Sequence, residues 1–177
     1  MHKIILVLSL IVANSCLADD LIKAAGNQTN AEGIALEVID TPPTWSDRAE
    51  EVLMQALSLT GIQYKYGGNS PETGFDCSGF VRYVFSQATK ITLPPTARAI
   101  SQMGKTVKKE ELQPGDLVFF NTLKSAFSHV GIYMGNNKFI HSPSAGGKVR
   151  VENMDNTYWK KRFNGAQRIE AAPEQTN

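Results

Sequence analysis

One cysteine and two histidines carry the chemistry this sequence could perform. Cys77 sits in Phe75-Asp76-Cys77-Ser78-Gly79-Phe80, while His129 and His141 lie in Ser128-His129-Val130-Gly131-Ile132-Tyr133 and Lys138-Phe139-Ile140-His141. A thiol becomes a nucleophile when a neighbouring base takes its proton, and an imidazole serves as that base when a third polar group orients it. Cys77 as nucleophile, His129 as base and His141 as orienting group satisfy those roles. The same residues, with or without Asp76, could instead ligate a metal, although the sequence holds no short ligand pair of the C-x-x-C or H-x-x-x-H kind. Two histidines buried for packing alone are the remaining reading.

The elements that must position these side chains are readable from pattern. Asp76 can cap a helix that begins at the cysteine, and Phe80, Val81, Val84 and Phe85 fall at helical spacing over 77–88. A helix start favours an anion, so the expectation is a thiol pKa lowered towards the reactive thiolate. The two histidines flank Gly135-Asn136-Asn137. If these form a three-residue hairpin loop, position 129 opposes 143 and 141 opposes 131, which puts both imidazoles on one face as diagonal neighbours, with room above Gly131. Upstream, Ser46 is an N-cap candidate for an opening helix over 47–60, with Val52, Leu53, Ala56, Leu57 and Leu59 as its apolar face. Residues 61–74 read as a loop, and a short third helix capped by Thr96 closes near Gly104. Strands are expected at 117–120, 129–134, 138–141 and 148–152, forming an antiparallel sheet. Helices first and strands second define an α+β domain with helices packed on one sheet.

Composition bounds the architecture. The 177 residues are 42% hydrophobic and 20% charged, with two cysteines and 14 glycines. That excludes a disordered chain, a collagen-like repeat and a disulfide-built mini-protein, and leaves room for one domain. Residues 1–18 read as an export signal: Met1-His2-Lys3 is a basic start, and the apolar run Ile4 to Ala13 is shorter than the roughly 20 residues of a bilayer span. Cleavage after Ala18 fits plain export, and Cys16 after Ser15 offers the lipid-carrying position of a bacterial lipoprotein, which would anchor the protein to a membrane. Cys77 is then the one available thiol. Residues 19–45 read as a tether, 46–170 as the catalytic domain and 171–177 as a tail. Residues 19–51 hold eight acids and two bases, and the chain beyond them fifteen bases and nine acids. That balance gives nucleic acid no basic surface of the usual strength and suits an anionic substrate in the second part.

Taken together, Tyr64-Lys65-Tyr66-Gly67-Gly68, GFDCSGFVRYVF, LQPGDLVFF and SHVGIYMGNNKFIH, in this order and spacing, resemble the NlpC-type cell-wall cysteine peptidases over residues 47–170. The resemblance implies a compact papain-like fold in which a cysteine-bearing helix packs on a small sheet, and an enzyme that needs no cofactor. It makes Cys77 the nucleophile, His129 the base and His141 the polar third member. It places Tyr64, with Tyr66 as competitor, near the oxyanion beside the Cys77 N–H. It gives Asp76 and Ser78 substrate contacts, although capping explains Asp76 as well. Where the family often carries Arg and then Ser or Thr after Leu-Pro, Pro95-Thr96 stand here. The implied substrate is the stem peptides or cross-links of bacterial peptidoglycan, and the implied location is the periplasm or cell envelope. An acyl transferase or lipid-modifying enzyme of the same fold would keep the same triad, and a non-catalytic wall-binding module would not need it. For the signal, the expected outcome is an amino terminus at Asp19 in protein recovered from a bacterial envelope, read by intact mass. A diacylated or triacylated Cys16 would contradict it.

Overall fold

The computed structural model describes residues 44–122, 125–144 and 147–170. The expected signal, the tether up to residue 43 and the tail lie outside the described residues.

Helix α1, Trp45–Ser58, starts two residues before the expected position because Thr44, not Ser46, caps it. The Thr44 side chain accepts the Asp47 N–H while the Asp47 carboxylate accepts the Thr44 N–H at 2.9 Å, so two otherwise orphaned donors are satisfied reciprocally. Its inner face is Ala49, Val52 and Ala56. Helix α2, Cys77–Thr89, begins where Asp76 stops being extended (φ −86°, ψ 178°) and accepts the Gly79 N–H at 2.7 Å; it ends at left-handed Lys90. Phe80, Val81, Val84 and Phe85 are fully buried along it, each worth about 1.5–3 kcal/mol of transfer out of water. The segment expected as a loop contains a small ribbon, β1 (Asn69–Ser70) against β2 (Gly74–Phe75). Helix α3 is only Ala97–Ile100, capped by Thr96 as expected, and the chain turns before Gly104.

The strands are β3 (Lys105–Val107), β4 (Leu117–Phe120), β5 (His129–Gly135), β6 (Lys138–His141), β7 (Arg150–Asn153) and β8 (Phe163–Arg168). They form one antiparallel sheet in the order β3-β8-β4-β5-β6-β7. Alternation divides its side chains between two cores. Leu117, Phe119, Val130, Ile132 and Ile140 pack with α1 and α2. Val118, Phe120, Tyr133 and Phe139 pack on the other face with Trp159 from the short helix α4, Thr157–Lys160. Because β4 is buried on both faces, it reads as a continuous apolar run and not an alternating one. Fully buried Asp116 receives Arg168 through Nε at 2.7 Å and Nη2 at 2.9 Å, which fastens the end of β8 beside β4.

The β5–β6 hairpin departs from the expected loop and keeps the expected register. Asn136 and Asn137 both have positive φ, 50° and 56°, the requirement of a two-residue type I′ turn, and Gly135 pairs with Lys138. An irregularity between Tyr133 and Gly135 absorbs the extra residue, so Ile132 still opposes Ile140 and Tyr133 opposes Phe139. His129 and His141 therefore share the face of Phe139 and Trp159. The space above Gly131 is not empty: a Cβ there would stand 2.7 Å from the Phe139 ring and 3.1 Å from His141 Cβ.

Gly79 controls how closely α2 approaches the loop before it, since a Cβ at this position would lie 2.0 Å from the Gly68 carbonyl oxygen. Backbone cannot give way as a flexible side chain can, so Gly79→Ala is expected to cost about 1–3 kcal/mol in urea unfolding. An unchanged midpoint would show that the loop yields freely.

Candidate active site

Two contacts bring the segment around Cys77 to the histidine hairpin. The Val130 N–H is near enough to the Cys77 sulfur to favour its thiolate. Fully buried Ser142, next after His141, donates its hydroxyl to the Phe75 carbonyl at 2.7 Å, two residues before Cys77. Both ends of the hairpin thus grip the segment that enters α2.

His129 and His141 are themselves joined. His129 Nε2 and His141 Nδ1 lie 2.7 Å apart with the rings nearly perpendicular, 87°. These nitrogens are spent on each other, which leaves His129 Nδ1 for a reacting partner. Trp159 stacks on His129 at 27° and 5.6 Å and meets His141 edge-on at 85°, so both rings are clamped. Burial holds both imidazoles neutral: the His129 pKa is pushed down to about 3 by desolvation and secondarily by His141, and that of His141 is also lowered, desolvation outweighing the pull of Glu152.

Glu152, which sequence reasoning missed, stands behind the pair. Its Oε1 is 3.5 Å from His141 Nε2 and accepts from Arg150 Nε at 2.6 Å, while Trp159 Nε1–H donates to Oε2. The 3.5 Å separation is an electrostatic contact and not a short hydrogen bond. These interactions, led by His141, hold the Glu152 pKa down at about 2. The signal for Glu152 is its cross-strand pairing: His141 opposes Arg150 and Phe139 opposes Glu152, so both charged residues share the histidine face. The eight residues between His141 and Arg150 hide that register in the sequence.

The thiol overturns one expectation. Desolvation, followed by the charge of adjacent Asp76, raises the Cys77 pKa to about 11, although the Val130, Ser78 and Cys77 N–H groups all pull it down. The helix start supplies its N–H groups as expected, but removal of an anion from water costs more than they return here. The resting pair is therefore thiol and neutral imidazole.

Of the remaining sequence candidates, Tyr64 is half-buried and close enough to Cys77 that the thiolate would raise the phenol pKa further, after desolvation; its O–H stays protonated. Tyr66 is 88% exposed. Asp76 Oδ1 accepts from Gly79 N–H and from the Ser78 hydroxyl at 2.9 Å, and Oδ2 accepts the Gly67 N–H at 3.1 Å. Ser78 is buried and also lies 3.0 Å from the Pro95 carbonyl. Both residues thus hold the helix start to its surroundings. Among the described residues, no group of three or more His, Cys, Asp or Glu is placed to hold a metal ion. A cavity of about 320 Å³ opens beside His129, lined by Thr122, Ser144, Arg150, Glu152, Asn156 and Trp159 among others.

A cysteine-bearing helix packed on an antiparallel sheet that presents paired histidines defines a papain-like α+β class, and comparison with known proteins places the chain within it. Residues 61–168 match the NlpC/P60 family, and the chain belongs to that family. It is 40% identical over 126 residues to the murein DD-endopeptidase MepH of Escherichia coli strain K12, covering 69% of this chain and 46% of that protein. It is 35% identical over 147 residues to the murein DD-endopeptidase MepS/murein LD-carboxypeptidase of the same strain, covering 83% of this chain and 77% of that protein. The crystal structure of an NlpC/P60 family protein from Bacillus cereus ATCC 10987 superposes with a TM-score of 0.64 at 33% identity, over 68% of this chain and 40% of that one. The chain spans less than half the length of the first of these relatives.

The neutral thiol has a measurable consequence. Iodoacetamide is expected to alkylate Cys77 at pH 7 more slowly than a free cysteine peptide, with a rate that climbs as pH rises towards about 11. A midpoint below the ordinary thiol value of 9.0 would show that the resting state is an ion pair.

Proposed function

We propose that the protein is an exported cysteine peptidase that hydrolyses peptide bonds in peptidoglycan stem peptides or cross-links, with Cys77 as nucleophile, His129 as base and His141 as its orienting partner. The observation that carries this reading is the 2.7 Å His129–His141 contact, on a hairpin that Ser142 ties to the segment just before Cys77. Family membership and relatives named as murein endopeptidases supply the substrate class.

In this reading the Cys77 sulfur attacks the scissile carbonyl carbon as His129 Nδ1 takes the thiol proton. A C–S bond forms and the carbonyl becomes an oxyanion, met by the Cys77 N–H and the Tyr64 O–H. The imidazolium then passes its proton to the departing amine nitrogen, the C–N bond breaks and a thioester remains. Water attacks that thioester with its proton going to His129, and the thiol is released on reprotonation. A base is needed in the first stage because the thiol is not ionised beforehand, and in the second to take the proton of the attacking water. Asp76 Oδ2 retains a lone pair beyond its contact to Gly67, which suits a substrate ammonium, and Ser78 supports Asp76 from inside.

The excess of bases beyond residue 51 complements a carboxylate-rich stem peptide. Relatives named as murein endopeptidases favour hydrolysis over a lipid-modifying activity. An envelope location accords with the substrate, and no helix among the described residues is long and apolar enough to cross a membrane.

Cys77→Ala is expected to abolish release of soluble fragments from purified peptidoglycan, read by mass spectrometry, while leaving the unfolding curve near that of the wild type. His129→Ala should cost about 10²–10⁴-fold, the usual worth of a general base. His141→Asn should cost only about tenfold, since an amide still makes one hydrogen bond. Activity should persist in EDTA. Equal losses at the two histidines together with loss of activity in chelator would replace this mechanism with a metal-dependent one.

A further inference from the structure

We infer that Glu152 is a positioning residue that sets the proton arrangement of the histidine pair, so that His129 Nδ1 carries a lone pair in the resting enzyme. The inference rests on the proposed base role of His129 and extends it to a group that never touches the thiol. A single imidazole-to-imidazole hydrogen bond does not decide direction: either His129 Nε2–H donates to His141 Nδ1, or the reverse. In the first case His129 Nδ1 is free to accept a proton. In the second it already holds one and cannot act as a base.

Glu152 breaks that symmetry. An ionised carboxylate accepts only, and its Oε1 is 3.5 Å from His141 Nε2. That nitrogen is otherwise buried without a hydrogen-bond partner. With a proton on Nε2, neutral His141 gives the carboxylate a favourable N–H dipole and leaves Nδ1 unprotonated, so His129 Nε2–H must be the donor. With the proton on Nδ1 instead, the lone pair of a buried nitrogen would face an anion. The carboxylate is prevented from turning away by two donors, Arg150 Nε at 2.6 Å on Oε1 and Trp159 Nε1–H on Oε2. Because the same Trp159 ring stacks on His129, carboxylate and base share one support.

Glu152→Gln tests this, because an amide cannot accept from both Arg150 and Trp159 and can turn an N–H towards His141. The expected result is a kcat lower by about 10- to 100-fold, as for other partners that orient a functional histidine, with KM near the wild-type value. In a His141→Asn background the same change should cost less than about threefold, since Glu152 acts through the imidazole that is no longer there. An equal cost in both backgrounds, or a raised KM with kcat unchanged, overturns the inference. The second readout needs no variant and no substrate: ¹⁵N NMR of the resting wild-type protein should show both imidazoles protonated at Nε2 and bare at Nδ1. Protonation of His129 at Nδ1 overturns the inference whether or not Glu152→Gln folds. Failure of the peptidase reading would appear separately, as hydrolysis retained by Cys77→Ala.

Discussion

The hydrogen bond between His129 and His141 depends on strand register, and most of the fold serves to hold that register. A slip of one residue in β5 or β6 would send one imidazole to the helix-packed face and leave the other alone among aromatic rings. The two positive-φ asparagines at 136 and 137 set the turn, the irregularity beside Met134 restores the count, and Gly131 lets the Phe139 ring and His141 close over β5. Ile132, Ile140 and Val130 buried on the opposite face make the alternative pairing costly, because a slip would take them out of the core beneath α1 and α2.

Burial explains the charge state of the site. Trp159, Phe139 and Phe120 surround the histidines, so both imidazoles rest neutral, and desolvation outweighs the helix start at Cys77. Charge at rest is kept at the rim, where Glu152 meets Arg150 and remains partly open to water. In the proposed mechanism such a site separates charge only as the reaction proceeds, when proton transfer from thiol to imidazole coincides with carbon–sulfur bond formation. The cost of a standing thiolate is thereby avoided in a segment already committed to packing.

Much of this was legible in the sequence because it is local. Asp76 capping α2, the apolar face Phe80 to Phe85, the bounds of β4 and β6, and the placement of both histidines on one face all follow from spacing. What escaped depends on contacts distant in the chain. β8 lies inside the sheet, yet Asn164, Gly165, Gln167 and Arg168 give it no apolar alternation, and its support comes from Asp116, some fifty residues earlier. Trp159 and Glu152 likewise become part of the site only once β7 pairs with β6. The thiol pKa was misjudged for a related reason: the helix-start effect can be read from a few residues, whereas desolvation depends on everything packed around them.

The central claim is that the Cys77 sulfur forms a covalent bond to the substrate acyl group under the control of this histidine pair. The most direct measurement is acid quenching of the enzyme during turnover of a purified stem peptide, followed by proteolysis and mass mapping. The account predicts that the peptide containing Cys77 carries the added mass of the acyl fragment as a thioester that disappears when substrate is exhausted. Steady hydrolysis with an unmodified Cys77 peptide at every quench time, under conditions in which a chemically prepared Cys77 thioester survives the work-up, would contradict it.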